Sequence, residues 1–245
     1  MAKNNKTSNC LILVTHKFDE PLIRYLNYIK KESVDVMDII VLYDISSLKF
    51  PPSIDGIKIS LFESKMVKNF FHQGNKLLPC TLIALINSMN NIIYDHYLVM
   101  ECDLVYNGNF RSFITKINSI DADYIHIASD NIGGPDKHWP IKYIRNNPFK
   151  QLYFSWAHLY YISRKFLEDV SEFIKENDTI TYEFLLPTMA YNGNYIIRQF
   201  ENFGYKFDLS WGPAEIFEYK YQNERVFNTF YHPIKNLDII DYEHT

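Results

Sequence analysis

The chain is poor in several things that would place it in a well-marked class. It has three cysteines, Cys10, Cys80 and Cys102, and no Cys-x-x-Cys pair. An odd count without a pairing motif argues against a disulfide framework and for reduced, buried thiols of a cytosolic protein. Positive charge is not in excess: the net charge is −4. No global basic field exists to attract nucleic acid, and no nucleic-acid partner is expected. No run approaches the roughly 18 apolar residues of a membrane span. The first apolar run, Cys10 to Val14, is also too short for the core of a signal peptide. The expectation is a soluble, cytoplasmic protein whose membrane contact, if it has one, is peripheral. Internal repeats and an inter-domain linker are absent, and 245 residues fit one large α/β domain.

Aromatic residues, in contrast, are plentiful at 16% of the chain, mostly Tyr and Phe. They supply core volume and also flat platforms for sugar rings and bases. Short, continuous apolar runs recur at Cys10–Val14, Met37–Tyr43, Tyr97–Met100, Tyr124–Ala128 and Leu159–Ile162. Such runs suit strands buried on both faces, as in a parallel sheet. A further strand is predicted over Gly56–Leu61. Between them, helical spacing marks Glu20–Lys31, residues 76–90 and Phe110–Ile117. Later helices are expected over Arg164–Glu176, capped by Ser163, and from Thr181 to about Tyr191. The alternation predicts an α/β fold: one Rossmann-like domain over 1–245, with a central, mainly parallel sheet flanked by helices. Asp130–Leu152 carries Gly133-Gly134-Pro135, His138-Trp139-Pro140 and Asn146-Asn147-Pro148. A segment that long and irregular, rich in aromatics, reads as an ordered binding loop. The tail, 201–245, is polar and aromatic with little periodicity.

The sharpest chemical feature is Tyr97-Leu-Val-Met-Glu101-Cys-Asp103. A buried strand delivers two carboxylates at its C-terminal end, where open α/β sheets bind ligands. Oxygen donors of this kind suit Mg²⁺ or Mn²⁺ with positions left for substrate phosphates. A solvated strand end with two acidic residues would look the same in isolation. The placement after an apolar run, in mid-chain, favours the functional reading.

On these residues the chain resembles the GT-A glycosyltransferases, whose Asp-x-Asp motif ends a central strand in this place. The resemblance spans roughly residues 10–235, with Glu101 in the position of the first Asp. It implies a nucleotide-binding half at about 10–128 and an acceptor-binding half at about 129–235. It further implies a nucleotide-sugar donor, a divalent cation (Mn²⁺ or Mg²⁺), and a glycan or lipid-linked hydroxyl acceptor, as in bacterial polysaccharide or lipopolysaccharide assembly. Asp103 becomes the direct metal ligand, with Glu101 reaching the metal, its water or a ribose. His232, in Tyr231-His-Pro-Ile-Lys235, resembles the C-terminal metal-ligand His and would favour manganese. Lys235 would face the diphosphate. Thr15, His16, Asp44, Asn75 and Lys76 fall where the nucleotide is bound, although Asp44 also suits a turn cap and 75–76 an ordinary helix start. Trp156 and His158 fall at the acceptor, with Ala157 where the family often has Gly, and Trp156 equally suits the core. Glu183, at a helix start, would be the catalytic base, implying inversion, although the helix dipole favours a Glu there on its own. Two other activities fit parts of the pattern. A nucleotidyltransferase would need a Gly-rich phosphate loop after the first strand, and Thr15-His16-Lys17-Phe18 has no Gly. A non-catalytic carbohydrate-binding domain would bind neither Mn²⁺ nor nucleotide, or would bind them without donor turnover.

Overall fold

The apolar runs do become buried strands. In a computed structural model, which describes residues 8–47, 50–64, 80–128, 148–176, 181–210 and 212–242, all seven residues of β1 (Asn9–Thr15) are buried. β2 (Asp38–Asp44) and β4 (His96–Glu101) bury their centres in the same way. β3 (Lys58–Phe62) is the partly exposed edge. The remaining strands are β5 (Val105–Asn107), β6 (Tyr124–His126), β7 (Leu159–Ser163), β8 (Ile197–Gln199), β9 (Lys206–Leu209) and β10 (Thr229–His232). The helices are α1 (Glu20–Ser33), α2 (Cys80–Ser88), α3 (Phe110–Asn118), α4 (Arg164–Glu176), α5 (Tyr182–Asn192) and α6 (Ala214–Asn223).

Seven strands form one sheet in the order β3-β2-β1-β4-β7-β6-β8. Four of its six neighbour pairings are parallel. The two exceptions both involve β7, which runs antiparallel to β4 and β6. Alternate residues of the central strands enter two separate cores, one on each face. Leu11, Leu13, Val41, Leu98 and Met100 pack with α1 and α3. Cys10, Ile12, Leu42, Tyr97 and Val99 pack with α2, α4 and α5. The period-two geometry of a strand makes this division, and burial on both faces explains why the sequence shows runs and no alternation.

Local signals fix the helix starts unevenly. The Asp19 carboxylate accepts from Leu22 N, and Ser163 Oγ from Phe166 N, so both caps satisfy a donor that the helix leaves open. Thr181 stands at the N-cap of α5 but makes no side-chain capping bond. The tail differs from its sequence reading. It holds β9, α6 and β10, and with β5 it makes a second sheet of order β5-β10-β9. These strands are three or four residues long, too short for periodicity to register, and they exist because they pair with one another. The expected helix start at 76, Asn75, Lys76 and most of the Asp130–Leu152 segment lie outside the described residues. Among the described residues, no helix is long and apolar enough to cross a membrane.

Two-sided burial has a mutational consequence. Ile12→Ala and Leu13→Ala remove side chains from opposite cores, so each should cost about 2–5 kcal/mol in urea denaturation. A strand with one solvated face would instead show one of the two substitutions near zero.

Candidate active site

The parallel strands β2, β1 and β4 end together. Their register pairs Thr15 with Tyr43 and Val14 with Glu101, so Thr15, Asp44 and Glu101 emerge at one lip. Leu104 N returns to Glu101 O at 3.1 Å, and this turn carries Cys102 and Asp103 before β5 begins. The second sheet then brings the tail to the same place. β10 pairs antiparallel with β5, Tyr231 opposite Val105. Ile234 N donates to Asp103 O at 2.9 Å. His232 and Lys235 are thereby carried from the end of the chain to the acidic turn. From the other side, β7 pairs Leu159 with Met100, and the next bond of the ladder runs from Glu101 N to His158 O at 3.0 Å. Directly opposed residues project from the same face, so His158 stands over Glu101. The start of α5 contributes Tyr182 and Glu183.

These groups line one cavity of about 910 Å³, a size suited to a substantial organic ligand. Its wall includes Thr15, His16, Asp44, Glu101, Asp103, His158, Glu183, His232 and Lys235 from the sequence reading. Trp156 is not in that wall. It is half-buried, packed against both cores, with Phe154 at its edge and His158 stacked on its face. Lys17, Ser64, Thr81 and Tyr182 join the wall without having been singled out in the sequence. Tyr182 had a detectable signal, its position beside Glu183 at a helix start; the other three had none. Thr15 closes the turn after β1, its hydroxyl exchanging bonds with Lys17 O and N. Asp44 is a turn organiser: Oδ1 accepts from Ser46 N at 2.9 Å, Ser46 Oγ at 2.5 Å and Ser64 N at 3.2 Å.

At the centre, His158 Nδ1 donates to Glu101 Oε2 at 2.8 Å. His232 Nε2 lies 3.3 Å from the same oxygen and 3.5 Å from Asp103 Oδ1. Lys235 Nζ pairs with Asp103 Oδ2, and the Tyr182 hydroxyl is 3.5 Å from Glu101 Oε1. Burial alone would raise the carboxylates, but the hydrogen bonds from the two imidazoles outweigh it and hold Glu101 down at about 2. Asp103 is likewise raised by burial, and more strongly lowered by His232 and Lys235, to well below the usual carboxylate range. His232 feels the reverse balance. Burial lowers it, but Asp103 and Glu101 raise it further, to about 9. The site is therefore built to hold positive charge between two carboxylates.

The donors suit a divalent cation. Donor atoms adjacent in a coordination sphere with bonds of about 2.1 Å lie about 3 Å apart. The separations from His232 Nε2 to the two carboxylate oxygens, 3.3 and 3.5 Å, come close to this. Glu101, His158 and His232 also offer donor atoms within 4.8 Å of one another.

Glu183 is different in kind. It is 7% exposed, and burial, followed by the charge of Glu101, pushes its pKa up to about 8. The folded chain keeps this proton up to about pH 8, whereas an ordinary Glu releases it near 4.5. The unfolded state thus sheds the proton first, and stability falls as pH rises between those values. Glu183→Gln should remove this dependence. Between pH 5 and 8.5 the variant should gain on the parent by roughly 3–5 kcal/mol, at about 1.4 kcal/mol per pH unit. A stability difference that stays flat with pH in denaturant titrations would contradict the buried position.

No known protein-family profile matches the chain, and no curated protein matches it in sequence. Similar solved structures include the galactosyltransferase LgtC in complex with donor and acceptor sugar analogues, at 11% identity over 78% of this chain and 72% of that one, with a TM-score of 0.46. A putative glucose-1-phosphate thymidylyltransferase from Bacillus anthracis aligns over 78% of this chain and 85% of that one at 11% identity, with a TM-score of 0.46. A manganese complex of Rv0371c from Mycobacterium tuberculosis aligns over 80% of this chain and 88% of that one at 9% identity, with a TM-score of 0.41.

Proposed function

We propose that the chain is a divalent-cation-dependent glycosyltransferase that moves a sugar from a nucleotide-sugar donor to a hydroxyl of a glycan or glycolipid. The observation that carries this reading is the convergence of Glu101, Asp103, His232 and Lys235, with the raised-pKa Glu183, in one cavity at the C-terminal lip of the sheet.

Asp103 and His232 would hold the cation, with Glu101 beside them. An imidazole among the donors favours Mn²⁺ over Mg²⁺. When bound, the cation supplies positive charge to the diphosphate of the donor. Lys235, whose ammonium is largely exposed at the cavity mouth, can leave Asp103 and pair with a phosphate oxygen. Such a charge pair at 4 Å is worth about 1 kcal/mol in bulk water and about 4 at an effective dielectric of 20, so a partly enclosed cavity makes the contact count. Thr15, His16 and Asp44 line the same wall beyond β1 and β2, on the side proposed for the nucleoside. Asn75 and Lys76 are proposed to join it.

Glu183 is the proposed base. A carboxylate whose conjugate acid has a pKa near 8 is a much stronger proton acceptor than an ordinary Glu, and its ionised fraction, which grows as pH rises toward 8, is suited to take the proton of an acceptor hydroxyl. Its use as a base, with no nucleophile's role, corresponds to inversion at the anomeric carbon. Trp156 lies behind His158 and would shape the acceptor side through that ring. The chemistry of the acceptor would also set whether the protein works at a membrane surface, as a lipid-linked acceptor requires.

A thermal-shift screen of nucleotide sugars with and without Mn²⁺ tests the reading. One nucleotide class should raise the melting temperature in a Mn²⁺-dependent way, and Asp103→Asn should abolish that shift while leaving the ligand-free melting temperature within a few degrees of the parent. Nucleoside triphosphates with sugar 1-phosphates form the control arm. A shift confined to that arm would point to a nucleotidyltransferase, and an Asp103→Asn variant that binds like the parent would remove the metal assignment.

A further inference from the structure

His158 is buried, 5% exposed, and its ring is the middle layer of a pile. Trp156 stacks on one face at 5.5 Å and 22°, and His232 on the other at 3.8 Å and 23°. Its backbone is fixed as firmly, because it stands opposite Glu101 in the β4–β7 ladder. Both χ angles are therefore restrained by packing on both faces. Of its two nitrogens, Nδ1 meets Glu101 Oε2 at 2.8 Å. Nε2 is buried and has no partner among the described residues.

Two roles at a cation site are open to such an imidazole, and the stacking separates them. An imidazole ligand places its cation close to the plane of its own ring, along the nitrogen lone pair. The His158 and His232 rings are stacked, with centroids 3.8 Å apart and planes tilted by 23°, so a cation bonded to a nitrogen of each would lie out of the plane of at least one ring. Although Glu101, His158 and His232 have donor atoms within reach of one another, a cation shared by the two rings would be poorly aligned with at least one of them. His232 Nε2 faces oxygens of both Glu101 and Asp103, whereas His158 Nδ1 faces Glu101 alone. His232 is thus the ring that points at the cation position, and His158 is left with Glu101.

We propose that His158 is a positioning residue: its Nδ1–H clamps Oε2 of Glu101 while its ring supports His232 from behind, so that a carboxylate and an imidazole converge on one cation position. A carboxylate can only accept, so Nδ1 carries the proton. The clamp also accounts for Glu101 in place of an Asp. The longer side chain reaches back over its own strand end to His158, the residue that leads into β7, with Oε1 left toward Tyr182. Outer-shell partners of this kind are commonly worth about 10–100-fold in metal affinity.

The proposal rests on the cation reading above, and the experiment separates the two. First, ¹⁵N-imidazole NMR of the metal-free protein should show His158 as the Nδ1–H tautomer, with a downfield Nδ1 proton that disappears in Glu101→Ala. An Nε2–H tautomer, or a signal indifferent to Glu101, overturns the clamp whatever the protein binds. Second, Mn²⁺ affinity is measured by calorimetry in His158→Ala and His158→Asn. The Asn amide nitrogen can take the place of Nδ1, although neither variant restores the ring. Both should lose similar thermal stability. Ala should weaken Mn²⁺ binding by about 10–100-fold, and Asn should recover most of that loss. Equal losses in the two variants would mean that the ring acts by packing alone, and no loss in either would remove the role. A parent protein with the expected tautomer but no affinity for Mn²⁺ would sink the transferase reading and leave the clamp standing.

Discussion

Two carboxylates two residues apart at the end of a buried strand repel each other, and the rest of the site is arranged around that repulsion. Glu101 and Asp103 stay ionised although they are largely withdrawn from water, because His158, His232 and Lys235 reach them from three directions. Taking a carboxylate out of water costs several kcal/mol unless a partner is supplied. Here the partners come from the residue that leads into β7, the end of β10 and the segment after it. The acidic pair thus ties together elements far apart in the chain.

That requirement gives the small second sheet its purpose. A three-stranded sheet of strands three or four residues long would be marginal alone. It is held by the aromatic cluster of Tyr106, Phe113, Tyr205, Phe207 and Phe230, whose rings meet at centroid distances of 4.5–6.4 Å. Through β5 this sheet grips the strand that leaves the acidic turn, and through β10 it presents His232. Five of the chain's 19 Tyr and 18 Phe residues make this support. Most of the rings supply core volume, as their abundance implies; Tyr182 places its hydroxyl 3.5 Å from Glu101 Oε1.

The two classes of carboxyl in the cavity show how one environment divides roles. Glu101 and Asp103 have hydrogen-bond donors and fall below the usual range; Glu183 has burial and a neighbouring negative charge and rises to about 8. Groups pushed apart in this way can serve as charge holder and proton acceptor within one cavity. Asp44, satisfied by its own turn, belongs with the scaffold as much as with the wall.

Elements that obey local rules were legible in the order of residues alone. Runs such as Cys10–Val14 and Tyr97–Met100 identified strands buried on both faces, because burial on two sides removes the need for polar alternation. Ser163 marked the start of α4 because capping is a contact between residues three apart. The same local logic placed Glu101 and Asp103 at a strand end and Glu183 in a first helical turn. That β7 runs antiparallel, which sets His158 opposite Glu101, emerges with the folded chain. Folding likewise joined the tail to β5, bringing His232 beside Asp103 across more than a hundred residues. Strand direction and long-range pairing depend on which partner buries the most surface and satisfies the most backbone donors. Those are properties of the assembled chain, and no window of neighbouring residues contains them.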